Sequence, residues 1–176
     1  MGERAKTRLV QTLILNQLDE VLLVKWKDGD LKGKYTGCLG EVEDVKASDQ
    51  ANAVAIVQRL VGLELQPDRM QKVAEFAFLE ERGDDCDEVE FVYHASRAEA
   101  TRGRQDTDVE ARWIPINKIP YSHMPADDEL WYPLVLRDKR GLSGMFRFDE
   151  DKLLDFEIRD VCDGSLVSSH APRVQR

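Results

Sequence analysis

The chain has 176 residues, a net charge of −9 and a sequence pI of about 4.9, and its length predicts one domain with a core of its own. The acidic balance argues against nucleic acid as a partner, because contacts to phosphates need Lys and Arg. No apolar run approaches the ~20 residues of a membrane span, so a membrane partner is not expected either.

Alternating apolar residues and turn signals predict a mixture of strands and helices along the chain. The predicted strands are residues 9–15, 21–26, 72–79, 88–96, 111–114, 142–148 and 152–160. A first helix is predicted at 49–60, with Ser48 as its N-cap and Gly62 as its stop, and a second at 127–136. Residues 1–6 form an N-terminal extension, 7–161 the globular part, and 162–176 a tail that lacks periodicity and is expected to be mobile.

The first predicted helix is apolar on most of its sides. Ala53, Ile56, Val57 and Leu60 form one stripe at helical spacing, which is typical of a core face. The opposite side, around Ala55, is also small and apolar. Three interpretations stay open. The face carries small residues because it no longer has a function, it lines a ligand pocket that excludes water, or it is a docking surface for a protein partner at residues 51–61.

The cysteines and the N-terminus indicate a compartment. The cysteines are odd in number and have no CxxC spacing, which is typical of free thiols in reducing surroundings. They are Cys38, Cys86 and Cys162. Residues 1–7 contain no apolar stretch of the signal-peptide kind. We therefore expect a cytoplasmic or other reducing location.

Three segments follow the pattern of one known family in order along the chain. The first is the strand–turn–strand region of residues 7–42. The second is WIPINKIPYSHMPADDELWYPL at 113–134, and the third comprises GMFRF and LDFEIRDV between 144 and 161. They resemble the Nudix hydrolase superfamily, and within it the oxidised purine nucleoside triphosphatases, MutT homologues that remove 8-oxo-dGTP. The resemblance implies a Nudix α/β/α sandwich with a mixed central sheet.

The catalytic box of that family reads G-x5-E-x7-R-E-U-x-E-E-x-G-U, where U is aliphatic. Counted from Gly40, its acidic positions fall on Lys46, Ala55, Gln58 and Arg59. The closing Gly-aliphatic pair arrives one residue late, and shifting the frame by one residue does not restore the acids. The box is therefore predicted to be degenerate.

The missing acids matter for chemistry because a Nudix helix uses carboxylates on one face to hold Mg²⁺ against a diphosphate. We therefore expect no cofactor and a protein that lacks the usual pyrophosphohydrolysis, a pseudoenzyme. Mg²⁺ is expected as a cofactor only if a residual hydrolytic activity exists. The candidate ligands for that ion are then Glu43, Asp44 and Asp108, and the sequence supports them only weakly. Scattered histidines give no zinc-ligand spacing.

The pair Asp127–Asp128 is the strongest remaining functional signal. The resemblance implies that it lies at the floor of a purine pocket, where a protonated and an ionised carboxyl offer a donor and an acceptor to a base edge. A plain helix N-terminus, with two acids complementing the macrodipole, explains the pair equally well. The other implied pocket residues are Thr36, Gln11 and Trp26, while Pro125 stands where the relatives carry a stacking Trp.

The sequence thus predicts a binder of a purine-nucleotide-like small molecule on a Nudix fold. Two alternatives remain: an active hydrolase or other enzyme that uses displaced acids in the old pocket, and a non-catalytic subunit of a protein complex.

Overall fold

One mixed β-sheet organises the chain in the structure, a computed structural model that describes residues 7–80, 88–96, 108–138 and 141–170. Its ten strands are β1 (Thr7–Leu15), β2 (Glu20–Trp26), β3 (Tyr35–Thr36), β4 (Cys38–Glu41), β5 (Gln71–Glu80), β6 (Glu88–Ser96), β7 (Val109–Pro115), β8 (Leu142–Asp149), β9 (Lys152–Asp160) and β10 (Leu166–His170). The two α-helices are α1 (Asp49–Val61) and α2 (Asp128–Leu136), and short 3₁₀ turns occur at Pro67–Arg69, Ile116–Lys118 and Tyr121–His123.

The strand order places β1 near the middle of the sheet. The order is β10-β9-β8-β5-β6-β1-β2-β3, with β4 paired to β1 and β7 paired to β2. The pairs β1–β6 and β5–β8 are parallel, and the other pairs are antiparallel. The predicted mixed sheet is therefore confirmed.

The two faces of the sheet bury different helices because successive side chains of a strand point to opposite sides. On β1, Val10 and Ile14 join a core with Ile56 of α1, whereas Leu13 joins a second core with Trp131 of α2. A sheet with a helix on either face is the predicted α/β/α sandwich.

Helix α1 begins and ends where the capping signals predict. The Ser48 hydroxyl accepts the Ala51 N–H at 3.1 Å, and Gly62 adopts the left-handed φ of 69° that ends the helix. The predicted stripe is buried in full, whereas Ala55, Gln58 and Arg59 are exposed. The outward face of α1 therefore carries one small residue, Ala55, and two polar residues, Gln58 and Arg59. A protein partner on this face stays a prediction.

The C-terminal region differs from the sequence-based expectation. Residues 162–176 are predicted to form a mobile tail, but Leu166–His170 form β10, which pairs antiparallel with β9. Its short SLVSS run carries too little periodicity to be recognised, and the pairing supplies the order. Residues 1–6, 171–176 and Cys86 lie outside the described residues.

Of the cysteines that the structure describes, Cys38 is a buried free thiol and Cys162 an exposed one. Within the same residues, the helices are all too short or too polar to cross a membrane.

Candidate functional site

A cavity of about 690 Å³ lies between the sheet and the beginning of α2. Its walls come from β1, β3, β6 and the first residues of α2, so the fold brings together positions that are distant in the sequence. The volume is that of an ordinary small-molecule site. All five residues predicted to form a pocket line this cavity. They are Gln11, Trp26, Thr36, Asp127 and Asp128.

Gln11 is the centre of the hydrogen bonding at the cavity floor. Its Nε2 donates to Oε1 of Glu90, and its Oε1 accepts the Gly37 N–H at 2.9 Å and the hydroxyl of Tyr132. The Tyr132 oxygen in turn accepts the Gly37 N–H at 2.9 Å. Because both ends of the Gln11 amide are engaged, its orientation is fixed, and so is that of the Glu90 carboxyl.

Gly37 allows this close approach. An added Cβ at Gly37 would lie 2.8 Å from Leu13 Cδ2 and 2.9 Å from Gln11 Oε1, too near for a side chain to fit without movement. The glycine between β3 and β4 therefore lets its backbone N–H reach the Gln11 amide.

Trp26 and Thr36 are held together on the opposite wall. The Trp26 Nε1–H donates to the Thr36 hydroxyl at 2.9 Å, and that hydroxyl donates to the Gly37 carbonyl at 2.7 Å. Trp26 is half-buried, and Phe78, Phe148 and Pro125 also line the cavity. Aromatic and apolar walls around a polar floor are typical of sites that bind flat heterocycles.

The Asp pair does not behave as a helix cap. Asp127 stands at the N-cap position of α2, but its side chain makes no capping hydrogen bond and instead accepts the Trp131 Nε1–H at 3.0 Å. Asp128 is 3% exposed, and its buried Oδ2 has no hydrogen-bond partner among the described residues. A buried carboxyl oxygen without a donor is costly, and the residue that carries this oxygen lines a cavity.

Burial perturbs all three acids at the floor. It raises the pKa of Glu90 to about 8, with a further contribution from the charge of Asp127. It raises the pKa of Asp127 to about 6, against the lowering effect of the Trp131 hydrogen bond. Burial, with the neighbouring charges of Asp127 and Glu90, also holds the pKa of Asp128 well above its usual range. Near neutral pH the floor therefore holds both protonated and ionised carboxyls, which gives it donors as well as acceptors.

Sequence reasoning missed Glu90 and Tyr132. The signal for Glu90 was the alternation in EVEFVYHAS, where this acid shares one strand face with Val92, a core residue. A charged residue on a core-facing strand position is informative because such groups are seldom buried without a purpose. The sequence contains no such signal for Tyr132, because a tyrosine in an apolar helix usually packs in the hydrophobic core.

The box positions lie elsewhere. Lys46, Ala55, Gln58 and Arg59 are exposed, and none of them lines the cavity. The late Gly62 ends α1 by its left-handed φ, so the additional residue is accommodated within the last turn of the helix.

The weak metal-ligand candidates do not come together either. Glu43, Asp44 and Asp108 are exposed and lie outside the cavity lining, and Asp44 Oδ1 accepts the Lys46 backbone N–H at 2.9 Å. Asp49 is ion-paired with Arg8 at 2.8 Å. In the described part of the chain, no group of three or more His, Cys, Asp or Glu side chains is arranged to hold a metal ion. The residues present therefore do not fit the Mg²⁺ site of a Nudix helix.

The α/β/α sandwich has the fold of the Nudix proteins. The MutT protein of Bacillus halodurans superposes with a TM-score of 0.74 at 17% identity, over 86% of this chain and 97% of that one. The Nudix domain of Shewanella oneidensis NrtR, solved with ADP-ribose, superposes with a TM-score of 0.60 at 17% identity, over 78% of this chain and 90% of that one.

The sequence comparison is more specific. The chain is 30% identical over 161 residues to the oxidized purine nucleoside triphosphate hydrolase of zebrafish (Danio rerio). This alignment covers 89% of this chain and 97% of the relative. No protein-family model matches the chain. The chain belongs to the family of the oxidized purine nucleoside triphosphate hydrolases.

Proposed function

We propose that this chain binds a nucleotide-like small molecule in the cavity above Asp127 and Asp128, and that it lacks the usual metal-dependent pyrophosphate hydrolysis of its family. The observation that carries the proposal is the buried Oδ2 of Asp128, which has no partner among the described residues and belongs to a residue that lines a cavity with aromatic walls. A ligand that donates a hydrogen bond there removes the cost of that orphaned oxygen.

Three pocket features support a heterocyclic ligand. Gln11 and Thr36 are buried polar side chains whose hydrogen bonds hold the floor and one wall in place. Trp26 supplies a half-buried aromatic side chain at the cavity. The carboxyl floor presents both donors and acceptors, as the edge of a nucleobase requires.

The box positions support the non-catalytic part of the proposal. Hydrolysis of a diphosphate needs a metal that neutralises the phosphate oxygens and a group that activates water. The exposed face of α1 offers Ala55, Gln58 and Arg59, none of which is a carboxylate. A guanidinium at position 59 repels a divalent cation.

The relatives support a purine nucleoside as the chemical class of ligand to test. The zebrafish relative is named as a hydrolase of oxidized purine nucleoside triphosphates, and the NrtR Nudix domain was solved with ADP-ribose. Both compounds named there contain a purine nucleoside that bears phosphates. The nucleoside is therefore the part they share, and it is the part to test.

The catalytic part is tested by assaying purified protein with 8-oxo-dGTP and dGTP in Mg²⁺, with the zebrafish relative as positive control. We expect no turnover above background, because no box acid positions metal or water. Turnover near ~1 s⁻¹ that disappears with a chelator would establish an active hydrolase and contradict this part of the proposal.

The binding part is tested by thermal shift with nucleosides and nucleotides, with and without Mg²⁺. A ligand of the native state raises stability by RT ln(1 + [L]/Kd), so a true ligand moves the melting temperature upward in a concentration-dependent manner. Absence of any shift across purine and pyrimidine compounds would contradict binding and favour the docking-subunit alternative.

A further inference from the structure

Glu90 places a further buried carboxyl group at the cavity. It lies on β6, is 5% exposed and faces the same cavity as Asp127 and Asp128. Gln11 is its hydrogen-bond partner among the described residues. A buried acid with one amide donor has acceptor capacity left over, and a purely structural role is better filled by an apolar side chain.

The second observation is the state of Asp128 beside it. Asp128 lines the cavity, and its buried Oδ2 atom receives no hydrogen bond from the described residues. The charges of Glu90 and Asp127 both act on the Asp128 carboxyl, so the three groups lie close enough to form one cluster. Donors brought by a ligand satisfy the ionised oxygens of this cluster, and ligand acceptors satisfy its protonated carboxyls.

The charge of the cavity wall selects against phosphate. Nine of the 22 lining residues among those described are Asp or Glu, and none is Lys, Arg or His. Lys34, whose charge acts on Asp127, is not a lining residue and is ion-paired with Asp151 at 3.1 Å. Six of these nine acids are exposed, and carboxylates at such positions repel phosphate oxygens that approach them closely. The described residues also assemble no group suited to a bridging metal ion.

We propose that Glu90 is a third recognition carboxyl of the cavity, and that the ligand is a nitrogen heterocycle with several N–H donors and no phosphate, namely a nucleobase or nucleoside. This rests on the proposed function and narrows it, because the base edge is read by three acids rather than two. N–H donors paired with carboxylates form charge-assisted hydrogen bonds, which are roughly twice as strong as neutral ones.

The test compares matched pairs of compounds by calorimetry: the four deoxynucleosides and their triphosphates, in chelator and in excess Mg²⁺. For the base that binds best, we expect the nucleoside to bind at least about tenfold more tightly than its triphosphate under both conditions. Glu90→Gln is expected to weaken nucleoside binding about tenfold or more, because an amide offers a different donor–acceptor pattern from a carboxyl.

Two variants serve as comparisons. Glu75→Gln makes the same change on β5, at an exposed position whose strand partner Phe91 is also on β6, and should bind like the wild type. Glu90→Asp keeps the carboxyl but withdraws it by one methylene, and should bind between wild type and Glu90→Gln. Melting temperatures establish that each variant is folded.

The outcomes separate the two proposals. A triphosphate that binds as tightly as its nucleoside, or a Glu90→Gln variant that binds like Glu75→Gln, overturns this inference and leaves the nucleotide-like binder intact. If the wild type binds neither nucleosides nor nucleotides, both proposals are overturned.

Discussion

At the scale of single residues, the Asp127–Asp128 pair separates two roles that the sequence leaves mixed. Asp127 accepts a hydrogen bond from Trp131 one turn further along the helix, whereas one oxygen of Asp128 has no donor among the described residues. Neither side chain uses its oxygens as the N-cap of α2. The pocket hypothesis is therefore favoured over the helix-cap hypothesis.

Replacing Asp128 or Asp127 by Asn tests this assignment. An amide cannot exchange a proton, so its donor–acceptor pattern is fixed and no longer matches the ligand edge. We expect each variant to lose roughly 1–3 kcal/mol of binding free energy for the best nucleoside, measured by calorimetry. Glu129→Gln, an exposed charge change in the same helical turn, is the control and should bind normally. Binding unchanged in both Asn variants would return the pair to a capping role.

The buried acids also predict how stability depends on pH. The folded-state pKa values of Glu90 and Asp127, about 8 and about 6, lie above the ordinary values of 4.5 and 3.8. The folded state therefore holds protons that the unfolded state has released, and this contribution to stability falls as the pH rises from about 4 to about 8.

Melting temperatures measured across that range, for the wild type and Glu90→Gln, isolate the contribution of Glu90. We expect the wild type to lose stability relative to the variant as the pH rises, at roughly 2–4 °C per kcal/mol for a chain of this size. A difference between the two proteins that stays constant with pH would mean that Glu90 titrates normally.

At the scale of elements, α1 combines a buried face with an exposed one. Its buried stripe packs against β1, and its caps are intact, so the helix is stable without any of the box carboxylates. Ala55, Gln58 and Arg59 lie on the exposed face of the helix. Structural and catalytic requirements therefore act on different faces of the same helix.

The double variant Ala55→Glu with Arg59→Glu restores part of the metal-binding face. We expect no strong hydrolysis of 8-oxo-dGTP, because Lys46 and the additional residue before Gly62 remain, and ligands must be held to fractions of an ångström. A modest fall in melting temperature is expected from an acid in the last turn of the helix. Hydrolysis approaching that of the zebrafish relative in the same assay would show that backbone and pocket are still competent.

Much of the architecture was readable from the sequence because it rests on local signals. Alternation predicted β1 and β6, and Ser48 and Gly62 predicted the limits of α1 to within one residue. The strand β10 was not readable, since its order comes from pairing with β9 rather than from its own residues.

The site also contains residues that could be predicted from the sequence and residues that could not. The Asp pair and its neighbours were found through family resemblance, but the role of Glu90 depends on which strand lies beside β1. The parallel register pairs Leu9 with Glu90 and Gln11 with Val92, so the Gln11 amide reaches the acid diagonally. No sequence pattern specifies the register between strands some 80 residues apart.

At the scale of the molecule, the net charge of −9 agrees with the character of the cavity. An acidic surface repels polyanions at a distance as well as in contact, and it lowers the rate at which they arrive. Neutral or cationic compounds meet no such barrier. The whole chain is thus suited to the phosphate-free ligand proposed for its cavity.

The hydrogen bonds of the Gln11 amide affect when the cavity forms during folding. Its partners Glu90 and Tyr132 lie 79 and 121 residues further along the chain. Contacts of such large sequence separation form late in folding, because closing long loops costs entropy before any contact is gained. On the ribosome, the floor of the cavity stays incomplete until α2 has emerged, so ligand binding reports on a chain that extends at least through α2 rather than on an earlier folding intermediate.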